Sequence, residues 1–287
     1  MREETLQVIT RMQKNEVAEH AVYGALAKRI KGPNAKILAK IAGEEEKHAR
    51  IWARYTGVMP KCPKWKIFYH QILAMVFGLT FVINLMETGE EKAQEIYSSI
   101  SDEVPEALSI YEQEQEHEQA LIEMIDEERL KYISSMVLGL NDALVELTGA
   151  LAGFTFALGE SRIIAMAGFI TGSAATLSMA ASEYLAKKND PGEKHPFKAA
   201  IYTGIAYMIA VTALLIPFFF IPVPVAALFF CLVNVAIVIL VFTFFVSVVR
   251  KEPFKPAFLE MICISFGVAA ISFIIGWIAR TALGIEL

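Results

Sequence analysis

From Ile133 onward the chain repeats one pattern: about 20 or more mostly apolar residues, then a short polar break. The apolar stretches are 133–158, 163–185, 199–220, 223–249 and 258–279. Each is long enough to cross the roughly 30 Å hydrocarbon core of a bilayer as a helix. Pro217, Pro222 and Pro224 divide what would otherwise be one apolar run into the third and fourth stretches, with a tight turn between them. The pattern predicts five transmembrane helices.

The loops orient them. Lys187, Lys188, Lys194 and Lys198 lie between the second and third stretches, and Arg250, Lys251 and Lys255 between the fourth and fifth. The opposite side offers only Arg162 and Arg280. Cytoplasmic loops collect Lys and Arg, so the lysine-rich side, and with it the N-terminus, is expected in the cytoplasm of a cell-membrane protein.

A chain that is 55% hydrophobic with a mean hydropathy of +0.46 is too apolar for an ordinary soluble enzyme. Its charges are dense from Met1 to Tyr132 and sparse afterwards, which predicts a soluble domain over 1–132 and a membrane domain over 133–287. A net charge of −5 with an acidic N-terminal half argues against nucleic acid as a partner. The first residues, MREETLQVITRMQKNE, have neither the apolar core nor the small-residue cleavage site of a signal peptide. Cys62, Cys231 and Cys263 are scattered without a CxxC pair, so no disulfide framework, zinc site or rubredoxin-type iron knuckle is expected. The stretch 72–86, ILAMVFGLTFVINLM, is apolar but only 15 residues long. It reads as a buried bundle helix or a partner-facing surface rather than a sixth span.

Acids inside a span are functional candidates, because one at mid-membrane costs roughly 2.5–3.5 kcal/mol on insertion scales. The first stretch holds Asp142 and Glu146, one helical turn apart on one face. The second holds Met179 and Glu183, again one turn apart. Carboxylates with a thioether make a mixed ligand set for a first-row divalent ion, and the carboxylates can also carry protons. The Gly149–Gly153 pair, and Gly168, Gly172 and Ala180, permit close helix approach within one chain or across a homodimer.

At these residues GLNDALVELTGALAGFTFAL followed by LSMAASEYLAKK resembles the first two helices of the vacuolar iron transporter family. That resemblance implies a five-span protein exporting Fe²⁺ or Mn²⁺ from the cytosol in exchange for protons. Asp142, Glu146, Met179 and Glu183 would be its pathway residues. The family's glutamate-rich helical insertion after the second span, which collects metal, has no room in the loop KKNDPGEKHPFK. Another part of the chain must collect the metal.

Residues 1–132 read as four helices, from Glu3 to Ile30, from an Asn34 cap to Tyr55, from Lys66 to Ser99, and from Ser101-Asp102 with Pro105 in the first turn. After Pro105 the fourth has no Gly or Pro up to Lys131 and is expected to continue into the first span. Glu45-x-x-His48 and Glu114-x-x-His117 place a carboxylate and an imidazole on one face of the second and fourth helices. Glu16 and Tyr23 on the first helix recur as Glu90 and Tyr97 on the third, so Glu-x6-Tyr followed by Glu-x-x-His occurs twice. This ordered repeat resembles the rubrerythrin and bacterioferritin group. The all-α fold it implies is a ferritin-like four-helix bundle beside the five-helix membrane domain. Carried over by motif, Glu16, Glu45, His48, Glu90, Glu114 and His117 would ligate a di-iron centre that Mn or Zn can also occupy. Glu19 and Glu87, one turn from Glu16 and Glu90, are alternative carboxylates. Tyr23 and Tyr97 would hydrogen-bond ligand carboxylates.

Together these readings predict an iron exporter, proton-coupled, whose N-terminal domain captures, senses or oxidises the metal. Its partners would be metal ions, protons and the bilayer, with a second copy of the chain. The alternative is a membrane-tethered di-iron peroxidase or ferroxidase, weakened by the missing rubredoxin cysteines.

Overall fold

The computed structural model describes residues 1–87, 93–124, 132–190 and 195–283, and within them the regular structure is helical throughout. The chain divides into two compact units, Met1–Glu127 and Glu128–Leu287.

The first unit opens with α1 (Glu3–Ala27) and α2 (Pro33–Thr56), packed along one another. Gly32 turns between them at φ 95°, and Pro33 occupies the first helical position of α2. Asn34 is therefore inside the helix rather than its cap, and α1 stops three residues before the expected Ile30. Then follow α3 (Lys64–Phe77), α4 (Leu79–Glu87), α5 (Ala93–Ile100) and α6 (Glu106–Met124). The core gathers around Ile9, Trp52, Tyr97, Ile100, Val104, Ala107 and Ile110. Arg2 at the start of α1 pairs with Glu103, which Thr5 also holds at 2.9 Å.

The expected third helix, Lys66 to Ser99, is not continuous. Gly78 adopts φ 97°, ψ 165°, a conformation that essentially only glycine tolerates, and this ends α3 and redirects the chain into α4. The apolar run 72–86 is divided there. Ile72, Met75 and Val76 are exposed on α3, whereas Phe81, Val82 and Ile83 of α4 are fully buried. At 14 and 9 residues, neither helix is long enough to cross a bilayer. The fourth helix begins at Glu106, after Pro105 rather than at Ser101. Its expected passage through 125–131 lies outside the described residues.

The second unit consists of α7 (Ile133–Leu158), α8 (Ser161–Lys188), α9 (Pro196–Phe220), α10 (Pro224–Arg250) and α11 (Phe254–Leu283), all long and apolar enough to span a membrane. The sequence reads α7 as plain α-helix, but residues Ala143–Leu147 form a π-helical turn at its centre. Gly149 and Gly153 bring α7 against α11. A Cβ at Gly149 would lie 3.0 Å from Val268 and Ser272, and one at Gly276 would lie 2.5 Å from the Gly153 carbonyl oxygen. Gly168 receives Leu151 and Leu215, Gly172 receives Val211, and Ala180 meets Gly204. The small residues thus serve contacts within one chain, and they give no support to a second copy.

Candidate functional site

In the first unit, α2 and α6 each contribute one turn of an acid and an imidazole. Glu45 and His48 on α2 are 1% exposed, and Glu114 and His117 on α6 are 9% and 5% exposed. Glu16 joins them from α1 at 3%. Glu16, Glu45, His48 and Glu114 each offer a ligand atom, and these atoms lie within 4.8 Å of one another. The His48 and His117 rings stack at 5.7 Å between centroids.

Glu45 and Glu114 each reach both imidazoles. Glu45 places Oε1 2.8 Å from His117 Nδ1 and Oε2 3.4 Å from His48 Nδ1. Glu114 places Oε1 2.8 Å from His48 Nδ1 and Oε2 3.4 Å from His117 Nδ1. Glu16 Oε2 lies 3.7 Å from His48 Nδ1. None of the facing atoms Glu16 Oε2, Glu45 Oε2, His48 Nδ1, Glu114 Oε1 and His117 Nδ1 makes a properly aligned hydrogen bond, although all are fully buried.

The outward-facing atoms, in contrast, are held. His48 Nε2 meets Gln113 Oε1 at 2.7 Å, and His117 Nε2 meets Glu44 Oε2 at 2.8 Å. The Trp52 indole N–H donates to Glu16 Oε1 at 3.1 Å. The Tyr23 hydroxyl donates to Glu87 Oε1 at 2.6 Å. These partners orient the ligand atoms inward in the way outer groups fix the ligands of metal sites. Glu44 and Gln113 occupy equivalent positions, each just before the acid of its Glu-x-x-His motif, and each grips the histidine of the other helix. That parity is readable in the sequence, one residue before each Glu-x-x-His. Trp52, seven residues past Glu45 on the same face of α2, was readable in the same way.

Burial pushes Glu16 well above the usual carboxylate range, reinforced by its contact with Glu45 and the charge of Glu114. Glu87 is pushed up to about 7, chiefly by burial. Burial opposes charge on the imidazoles, yet the carboxylates around them prevail: His48 is strongly raised and His117 rises to about 10. Burial also opposes charge on Glu45, but Glu16 and the two histidines hold it down to about 2. A buried pocket of this kind attracts positive charge.

The remaining expected residues fall in different places. Glu90 lies outside the described residues. Glu19 is buried on α1, and Glu87 is half-buried, so neither is the solvated acid that its position alone would suggest. Tyr97 is buried against Trp52 and Tyr111. Glu112, Glu116 and Glu118 are exposed. His20 and His70 bind backbone carbonyls, of Ala42 and Lys66.

In the second unit, Asp142 and Glu146 interact across the π-helical turn. The fully buried Tyr207 of α9 donates a long 3.4 Å hydrogen bond to Glu146 Oε2. Widened π turns recur at functional sites in helices. Glu183 is not part of this group. It is buried on α8 and accepts a hydrogen bond from Ser135, two turns before Asp142. Thr203 in turn donates to the Ser135 carbonyl at 3.0 Å. Met179 packs against the apolar core of the five helices. Tyr207, Ser135 and Thr203 were not foreseen, because their partners are on other helices.

No curated protein matches the chain. The model of the VIT (vacuolar iron transporter) family matches residues 133–192 and 187–277, which together run through all five membrane-spanning helices and cover half of the sequence. With acids embedded in those helices and this match across them, the chain belongs to the VIT family of membrane transporters for iron or manganese.

Proposed function

We propose that this protein exports Fe²⁺ from the cytoplasm in exchange for protons, with Mn²⁺ as the other cargo its ligands suit. We further propose that its N-terminal unit is a cytoplasmic ferritin-like bundle, spanning about residues 1–132, that binds two metal ions and supplies the transporter. The observation that carries the second part is the convergence of five buried polar atoms, all lacking aligned hydrogen bonds, from α1, α2 and α6. Buried polar groups are almost always satisfied, so a cluster of such atoms facing one another fits the donor set of a cation site.

Glu16, Glu45, His48, Glu114 and His117 would hold the ions. Glu87, the sequence's alternative carboxylate, is held by Tyr23 and suited to join them; Glu90, the sequence's first choice, lies outside the described residues. A pair of iron ions held this way supplies redox chemistry toward O₂ or peroxide. The protein's own contribution is orientation. Gln113 and Glu44 keep both Nδ1 atoms turned inward, and Trp52 and Tyr23 hold the outer carboxylates.

In the membrane unit, Asp142 and Glu146 would take the ion, and the protons they exchange for it would move the opposite way. Tyr207 steadies Glu146, Met179 offers a soft ligand, and Glu183 with Ser135 provides a further buried carboxylate toward the lysine-rich end of the spans. The lysines and arginines of the loops support the cytoplasmic placement of that end.

Metal content of the purified full-length protein tests the bundle assignment. Two ions per chain are expected, and the double variant His48→Ala/His117→Ala is expected to lose both. Equal contents in the two proteins would refute it.

A further inference from the structure

Helix α3 turns an unbroken apolar face outward. Trp65, Phe68, Tyr69, Ile72, Met75 and Val76 are all exposed, Trp65 by 69%, Phe68 by 63% and Met75 by 71%. At about 100° per residue these six positions fall within about 120° of the helix circumference. The opposite side is the one that packs: His70 is buried, and α3 lies against α1. Scattered exposed apolar residues need no explanation, but a continuous stripe along a helix marks an interaction surface.

Along this stretch of chain the charges are of one sign. Between Gly57 and Met86 there is no Asp or Glu, while Lys61, Lys64 and Lys66 cluster at the start of α3. The rest of the unit is rich in acids. By helical spacing Lys64 and Lys66 fall on the two margins of the apolar face, where their stems can lie along it with the ammonium groups clear. Trp65 and Tyr69 add the amphipathic rings that favour a membrane–water boundary. At 14 residues α3 is too short to span. Gly78 then bends the chain away into the buried α4, so the exposed face ends where α3 does.

We propose that α3 lies flat in the boundary between headgroups and acyl chains of an anionic lipid leaflet. Its apolar face is immersed, and Lys61, Lys64 and Lys66 sit on lipid phosphates. A bilayer is covalently at hand, since Ile133 opens the first span only nine residues after Met124, about 30 Å of chain at full extension. A second copy of the chain fits this face less well, because α3 itself carries no acid to pair with the lysines of a partner's α3.

The test uses the full chain in nanodiscs, with Cys62, Cys231 and Cys263 replaced by alanine and a nitroxide label at Met75→Cys. In phosphatidylglycerol nanodiscs the label is expected to be several-fold more accessible to oxygen than to a water-soluble nickel chelate, with the reverse at an exposed control, Lys47→Cys. The preference is expected to shrink in phosphatidylcholine alone, and in the variant Lys61→Glu/Lys64→Glu/Lys66→Glu. In the unsubstituted chain, α3 backbone amides are expected to exchange more slowly in the anionic nanodiscs than in the neutral ones. Nickel access to Met75→Cys equal to the control, or identical immersion and exchange in both lipids, would overturn the proposal. Dipolar broadening between labels, with exclusion of both reagents, would assign the face to a second copy and overturn it as well.

Discussion

His48 and His117, the proposed imidazole ligands, illustrate how little of a metal centre would be carried by its ligands alone. Each imidazole is aimed by a residue from the opposite helix, Gln113 or Glu44, and without that partner the ring is free to rotate. Gln113→Ala and Glu44→Ala are each expected to weaken metal retention by about 10–100-fold while leaving the fold intact. Competition with a graded series of chelators measures this. Trp52→Phe retains the ring in the core but removes the donor to Glu16, and is expected to weaken retention in the same way. Trp52→Ala is a different experiment, since emptying a fully buried site of that size costs about 3–5 kcal/mol. Glu87→Gln is expected to lower metal content, because Tyr23 anchors Glu87 and burial sets it apart from a surface acid. The Glu-x-x-His spacing made the shared faces of Glu45 with His48 and of Glu114 with His117 legible in the sequence, since a helix turns spacing directly into a shared face. The pairing of Tyr23 with Glu87 was not legible, because it crosses between helices whose register no local spacing encodes.

At the level of elements, glycines decide more than hydropathy does. The run 72–86 reads as one apolar helix, and nothing in its pattern shows that Gly78 leaves the helical region and exposes one half while burying the other. Gly78→Ala forces a side chain into that conformation and is expected to cost about 1–3 kcal/mol, seen as a lower thermal midpoint of the bundle. The five spans were legible to within a few residues at each end, because the bilayer imposes their length. Their packing was not: the glycines identified as small contact points serve α7, α8, α9 and α11 within one chain. Gly276→Ala places a Cβ against the Gly153 carbonyl oxygen at 2.5 Å, where only backbone can yield. It is expected to separate α7 from α11 and lower stability by about 1–3 kcal/mol, measured by thermal unfolding in detergent. Gly267→Ala, with nothing within 4 Å, serves as its control and is expected to leave stability unchanged or slightly raised. The π-helical turn between Asp142 and Glu146 likewise has no counterpart in the hydropathy, which is the same for either helix type.

For the whole molecule, the proposed function divides the handling of metal between the two units. A buried set of carboxylates and imidazoles suits capture, and a sparser acid pair inside the membrane suits passage and release. The loop after α8 is short, and on that proposal residues 1–132 do the collecting. If the bundle feeds the pathway, His48→Ala/His117→Ala lowers flux at low Fe²⁺ and leaves the maximal rate largely intact. The most direct measurement of the central claim is Fe²⁺ flux in proteoliposomes with a pH-sensitive dye inside. The wild-type chain is expected to move Fe²⁺ with an opposing flow of protons, and Asp142→Asn to abolish both. Undiminished iron and proton movement in Asp142→Asn would contradict the account.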